Sequence, residues 1–142
     1  MILPDVNLLL YAHDEGSPGH ARARRWWVDL AETAVPVGVP WAVAMAFVRI
    51  ATNPRVQNVP LTPDRALDVV ESWFQLDHVQ VLEPGPRHLL IVRQLLQAAG
   101  VAANLTTDAH LAALAIEHQC ELHSNDSDFA RFPGLRWSNP LA

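Results

Sequence analysis

Lysine is absent. All 10 basic residues of this 142-residue chain are arginine. Every mechanism that needs a catalytic lysine is thereby excluded. Cysteine is nearly absent: Cys120 stands alone, so no internal disulfide can form and a cytoplasmic address is the default expectation. With no activating neighbour, Cys120 reads as a small buried hydrophobe rather than a nucleophile. No apolar run reaches the length of a membrane span. The N-terminus lacks the basic stretch of a signal peptide, and Asp5, Asn7, His13 and Asp14 interrupt its apolar residues. The net charge of −5 argues against a simple cationic nucleic-acid binder but leaves room for acids that hold metal ions. What is present is apolar: 50% hydrophobic residues against 18% charged support one packed domain over 1–142. No repeat, low-complexity segment or linker divides it.

Short strands alternate with helices along the chain. Met1-Ile2-Leu3 reads as a buried strand, followed by a helical turn over 6–12. Ser17 as N-cap and Pro18 at the first helical position predict a helix to about Ala34. A strand over 35–39 precedes an apolar helix over 41–52 that Asn53-Pro54 stops. Thr62-Pro63-Asp64 opens the next helix, and residues 79–82 alternate like a strand. A helix from Arg87 ends at Gly100. Thr106 or Thr107 is expected to cap a helix from Asp108 to about His118. The strand at 120–123 follows, and 135–137 is a candidate last strand. This alternation indicates an α/β domain with a mainly parallel sheet.

In such a sheet, ligands bind beyond the carboxyl ends of the strands. Asp5 follows the first strand. Asp126 and Asp128, in "SNDSDFARF", follow a late one, and Asp108 starts the helix that feeds it. Each has a structural reading: Asp5, Asp126 and Asp128 as turn residues, Asp108 as an acid at a helix N-terminus. Converged on one edge, four carboxylates would repel each other unless a cation sits among them. An all-carboxylate set suits Mg²⁺ or Mn²⁺, and the lack of cysteine or histidine in it disfavours structural zinc.

The segments "MILPDVNLLLYA", "LTTDAHLAALAIEH" and "LHSNDSDFARFPGLRW" together resemble PIN-domain ribonucleases, and more closely the VapC toxins of bacterial toxin–antitoxin pairs. The resemblance covers essentially the whole chain. It implies a PIN-like three-layer α/β/α sandwich around a mainly parallel central sheet. It implies metal-dependent cleavage of RNA, commonly tRNA or ribosomal RNA. It also implies a VapB-type antitoxin partner and a homodimer. Carried over by motif, the catalytic acids are Asp5, Asp108, Asp126 and Asp128, with Asp5, Asp108 and Asp126 as ligands of Mg²⁺ or Mn²⁺. One position departs from the pattern. The family places a further acid, often glutamate, in the helix after the second strand, where this chain aligns Ala46 and has no acid from Trp41 to Ile50.

Arginine must supply any grip on phosphate. Arg22, Arg24 and Arg25 are candidates for substrate binding, and a solvated helix face is their structural reading. Ser124 and Asn125 are candidates to position water or phosphate, with ordinary turn hydrogen bonds as the alternative. The 7 histidines are scattered without a metal-binding pair at the acids. Trp26 and Trp27 read as core or partner-facing residues before base-stacking ones. An aspartyl-phosphate enzyme is disfavoured by the missing lysine and by "DVN", which lacks the second acid of a DxD motif. The remaining alternative is a catalytically weakened PIN-like interaction protein. In that reading Ala46 marks decay, and the helices carrying Trp26-Trp27 and Phe47 meet a partner.

Overall fold

The computed structural model describes residues 1–142. Five short strands, β1 (Ile2–Pro4), β2 (Val37–Val39), β3 (Val79–Val81), β4 (Glu121–His123) and β5 (Trp137–Ser138), form one sheet ordered β3-β2-β1-β4-β5. Every pairing is parallel. Six helices connect them: α1 (Val6–His13), α2 (His20–Glu32), α3 (Trp41–Ala51), α4 (Pro63–Phe74), α5 (His88–Ala99) and α6 (Leu105–Glu117). A 3₁₀ helix, Ser127–Arg131, lies between β4 and β5.

The handedness of parallel crossovers sets the layers. From β1 through β2 to β3 the chain steps one way along the sheet, which puts α1 to α4 on one face. From β3 to β4 to β5 it steps the other way, which puts α5, α6 and the 3₁₀ helix on the opposite face. Helix packing agrees: α1 packs on α2 and α3, α3 on α4, and α5 on α6. The result is the three-layer α/β/α sandwich, and the direction of travel reverses between β1 and β4.

Both faces are covered, so the strands are buried on both sides; Leu3, Val37, Val39 and Leu122 are fully enclosed. On the first face Trp73 packs edge-on against Phe47 with ring centres 4.9 Å apart. Its indole N–H donates to Nε2 of His13 at 3.3 Å, while His13 Nδ1 donates to the Leu9 carbonyl at 2.8 Å. Both ring nitrogens are thus satisfied by a neutral imidazole, and burial lowers the His13 pKa in the same sense. On the second face, α6 buries Ala109, Ala112, Ala113 and Ala115.

Several helix starts differ from the sequence reading. Helix α2 begins at His20, not Ser17: residues 17–19 form a turn closed by the His20 N–H on the Ser17 carbonyl at 3.0 Å, and no side chain caps the helix. Helix α6 begins at Leu105, behind Asn104, so Thr106 and Thr107 are inside the first turn rather than caps. Thr62 does cap α4, and Gly100 at φ 76 ends α5 in the left-handed conformation that favours glycine. Trp26, Trp27 and Phe47 are buried core residues. Cys120 is buried, and burial raises its pKa, as expected of an inert thiol.

Candidate active site

The site lies where the strand order reverses, the place an open parallel sheet leaves a crevice. Register builds it. Ile2, Leu3 and Pro4 pair with Glu121, Leu122 and His123, so the next residues, Asp5 and Ser124, come opposite each other. The ladder continues one step: the Asp5 N–H donates to the His123 carbonyl at 2.9 Å.

Asp5 is buried, and both its oxygens are engaged. One accepts the Val6 N–H at 2.8 Å, capping α1, and the other accepts the Ser124 hydroxyl at 2.7 Å. Burial raises its pKa, and these two hydrogen bonds oppose the rise. Ser124, fully enclosed at 0% exposure, also accepts the Asp126 N–H at 2.9 Å. One hydroxyl therefore ties the acid after β1 to the acid after β4. Asp126 in turn accepts the Asp128 N–H at 2.9 Å and caps the 3₁₀ helix. Two indoles hold the end of β4 in place: Trp137 donates to the Ser124 carbonyl at 3.1 Å, and Trp26 donates to His123 Nδ1 at 2.9 Å. Neither indole contact is readable from residue type alone.

Asp108, in the first turn of α6, comes from the same layer as the 3₁₀ helix that carries Asp128. One carboxylate oxygen each from Asp108, Asp126 and Asp128 lies within 4.8 Å of the others. Asp5 is not in that tightest group. It stands just behind it, near enough for its charge to act on Asp108. The sequence reading put Asp5 among the ligands and gave Asp128 the lesser place; the geometry brings Asp128 forward. Helix α3 adds no carboxylate, in keeping with Ala46. Partial burial, followed by the charges of Asp126, Asp5 and Asp128, raises the Asp108 pKa to about 6, against a small opposing effect of Arg131. A group of like charges this strained is suited to a divalent cation, and its all-oxygen donors fit Mg²⁺ or Mn²⁺.

None of the arginines proposed from sequence forms an ion pair with the four acids. Arg22 donates to the Leu141 carbonyl at 3.0 Å and Arg25 pairs with Asp29 at 3.1 Å; both line a groove of about 660 Å³ between α2 and residues 140–142. Arg24 acts on His13 instead. Arg22 and Asn125 do share the wall of a neighbouring depression, beside Tyr11 and Gly19. The cation that reaches the carboxylates is Arg131, whose Nη2 is 3.6 Å from Asp128. Its spacing of three from Asp128 was the signal available in the sequence.

Two outcomes follow. Replacing Ser124 with alanine leaves the buried Asp5 oxygen and the Asp126 N–H without their partner. The expected cost is about 1–3 kcal/mol, read as a lower Tm together with weaker Mn²⁺ binding; an unchanged Tm would contradict the linking role. The second concerns pH. The folded pKa of Asp108, about 6, lies above the ordinary value of 3.8. The folded chain therefore holds more protons between those values, and stability falls as pH rises through that window. A fully buried group would lose roughly 3 kcal/mol; Asp108 is only half-buried, and screening reduces this to about 1 kcal/mol. Urea midpoints of the metal-free protein near pH 4.5 and pH 7 check it, and the difference should shrink in Asp108→Asn.

Comparison with known proteins agrees with this geometry. The model of the PIN domain matches residues 2–135. The chain is 46% identical to ribonuclease VapC33 of Mycobacterium tuberculosis over 141 residues, covering 99% of both proteins. It is 40% identical to ribonuclease VapC37 of the same species over 142 residues, covering 100% of this chain and 99% of that one. Among solved structures, the fold is similar to VapBC2 from Rickettsia felis bound to a promoter DNA fragment, with a TM-score of 0.72, 15% identity and 98% of each chain covered. It is also similar to DNA-bound VapBC from Salmonella typhimurium, with a TM-score of 0.70, 17% identity and coverage of 98% and 97%. The sheet order, the acids at its switch point and these full-length likenesses converge: the chain belongs to the PIN-domain family and, within it, to the VapC ribonucleases.

Proposed function

We propose that the protein is a metal-dependent endoribonuclease, the toxin of a VapBC-type pair, that hydrolyses RNA phosphodiester bonds. The observation that carries this reading is the carboxylate group of Asp108, Asp126 and Asp128 at the switch point, their oxygens within 4.8 Å, in a chain 46% identical to a named ribonuclease. These three residues would hold Mg²⁺ or Mn²⁺ directly or through water, with Asp5 as the carboxylate behind them. When bound, the ion supplies the charge that acidifies a water and steadies negative charge on the phosphoryl oxygens. The protein's own part is orientation. Asp5 and Ser124 lock the two strand ends together, Asp126 starts the 3₁₀ helix, and α6 sets Asp108 across from them.

The partner is a VapB-type antitoxin. Support comes from the VapC relatives and from the solved neighbours, which are VapBC complexes. A homodimer accords with the apolar side chains that α3 leaves in solvent, Trp41 at 49% and Met45 at 48% exposure. No helix is long and apolar enough to cross a membrane, and the action is assigned to the cytoplasm, where tRNA and ribosomal RNA are found.

The test is cleavage of total RNA by the antitoxin-free protein with Mg²⁺ or Mn²⁺ and with EDTA, beside Asp5→Asn and Asp108→Asn. Metal-dependent cleavage lost in both variants is the expected result. Equal cleavage by all three proteins means contamination. The absence of an acid on α3 favours one second reading, a weakened PIN protein that acts through its partner. No cleavage of any RNA, with no rise of Tm on adding metal, would select it.

A further inference from the structure

Arg131 closes the 3₁₀ helix that follows Asp126. At three residues per turn, positions three apart stack on one line. Phe129 and Phe132 stack on the line that enters the core, and both are buried. Asp128 and Arg131 stack on the line left outside, 3.6 Å apart and each half exposed. The two phenylalanines thereby fix the direction in which Arg131 projects. Its charge is the one cationic influence on Asp108, set against three carboxylates. A guanidinium carries five donors in a planar fork that matches carboxylate or phosphate through paired hydrogen bonds. Here it approaches a single carboxylate oxygen at long range and in solvent, a contact that is easily exchanged. Arg22 and Arg25 are by contrast already engaged with Leu141 and Asp29 on the other layer.

We propose that Arg131 is the phosphate-binding arm of the acid site: it grips a non-bridging oxygen of the RNA phosphate presented to Asp108, Asp126 and Asp128. This rests on the nuclease reading above. An anionic substrate approaching four carboxylates needs a fixed cation at their rim, and Arg131 is the side chain already there. Asp128 holds the guanidinium in place until phosphate replaces it.

The experiment uses the Asp108→Asn protein, which should not cut, and a fluorescein-labelled mixed-sequence RNA oligonucleotide, followed by anisotropy across a KCl series. Adding Arg131→Ala should weaken binding about tenfold and lower the slope of log K against log salt by about 0.7, one single-strand phosphate contact. Arg131→Lys should restore the slope but only part of the affinity, because a point charge lacks the fork. In the cleaving protein, Arg131→Ala should raise KM about tenfold with little change in kcat. A merely structural arginine would lower Tm and leave slope and KM unmoved in Arg131→Lys and Arg131→Ala alike, which would overturn the proposal. An inactive Asp108→Asn with an unchanged slope overturns Arg131 alone. Cleavage by Asp108→Asn equal to wild type overturns the nuclease reading and this inference with it.

Discussion

Asp108→Asn is expected to abolish metal-dependent cleavage while making the metal-free protein more stable. The two effects have one cause. Asp108 sits half-buried among Asp126, Asp5 and Asp128, and its pKa is raised to about 6. At neutral pH the carboxylate is ionised against that resistance, and the strain is a standing cost to the fold. Asparagine keeps the shape and removes the charge, so the apo protein should gain about 1 kcal/mol, discounted for exposure, and its Tm should rise by a few degrees. The same substitution removes a negative donor from the ion. Losing an outer-shell partner typically costs about 10–100-fold in metal affinity or activity, and a direct donor costs more, so cleavage should fall at least about 100-fold. Excess Mn²⁺ should raise the Tm of wild type, as any ligand of the native state does, and should move Asp108→Asn much less. Scanning calorimetry with and without Mn²⁺, beside an RNA cleavage assay, checks all three. A variant that loses both activity and apo stability would mean that Asp108 is a structural residue.

Phe129→Ala has the largest expected effect on stability. Phe129 is fully enclosed and stacks near Phe132 with ring centres 6.2 Å apart. Truncating a buried phenylalanine typically costs about 3–5 kcal/mol, against a total stability of about 5–15 kcal/mol for a domain. The Tm should fall by roughly 10 °C or more. Position matters as much as magnitude. Phe129 anchors the 3₁₀ helix whose cap is Asp126 and whose first turn carries Asp128. At a temperature where the variant is still folded, its Mn²⁺ affinity should therefore drop, although no metal-binding atom has been touched. Trp73→Ala is the control. It removes an equally buried aromatic from the opposite layer, against Phe47 and His13. It should lower Tm comparably and leave Mn²⁺ affinity nearly unchanged. Equal loss of affinity in both would show that global softening, rather than the helix anchor, sets the site.

Local chemistry in the sequence reached far into this structure. Asp5, Asp108, Asp126 and Asp128 were legible because each stands at the end of an element, and element ends are marked by short-range signals. The parallel sheet was legible from the alternation of strand and helix. The missing α3 carboxylate was visible as Ala46. Long-range register was not legible: that Asp5 comes opposite Ser124 depends on β1 pairing with β4, which no local pattern encodes. Nor was the rank of the acids, since the tight grouping of Asp128 with Asp108 and Asp126 needs the turn of the 3₁₀ helix. Arg131 carries no mark in the sequence beyond its spacing of three from Asp128, which matters only once the 3₁₀ helix exists. Of the α2 arginines, Arg22 and Arg25 line a groove beside residues 140–142, and Arg24 acts on His13. Ser17-Pro18 has the composition of a helix start, but the chain spends those residues on a turn.

The hydrogen bond between Asp5 and Ser124 spans 119 positions of sequence. Strand pairings so distant form slowly, because loop closure must precede any gain from contact. A chain emerging from the ribosome can assemble β1, β2 and β3 with their helices early, and that half already carries Asp5. It does not carry the acid group. Asp108, Asp126, Asp128 and the strand that fixes them arrive afterwards, and β5, whose Trp137 holds the Ser124 carbonyl, arrives later still. The order of synthesis thus completes the acid group last. A chain that ends before residue 121 lacks Asp126, Asp128 and the end of β4 that Ser124 ties to Asp5.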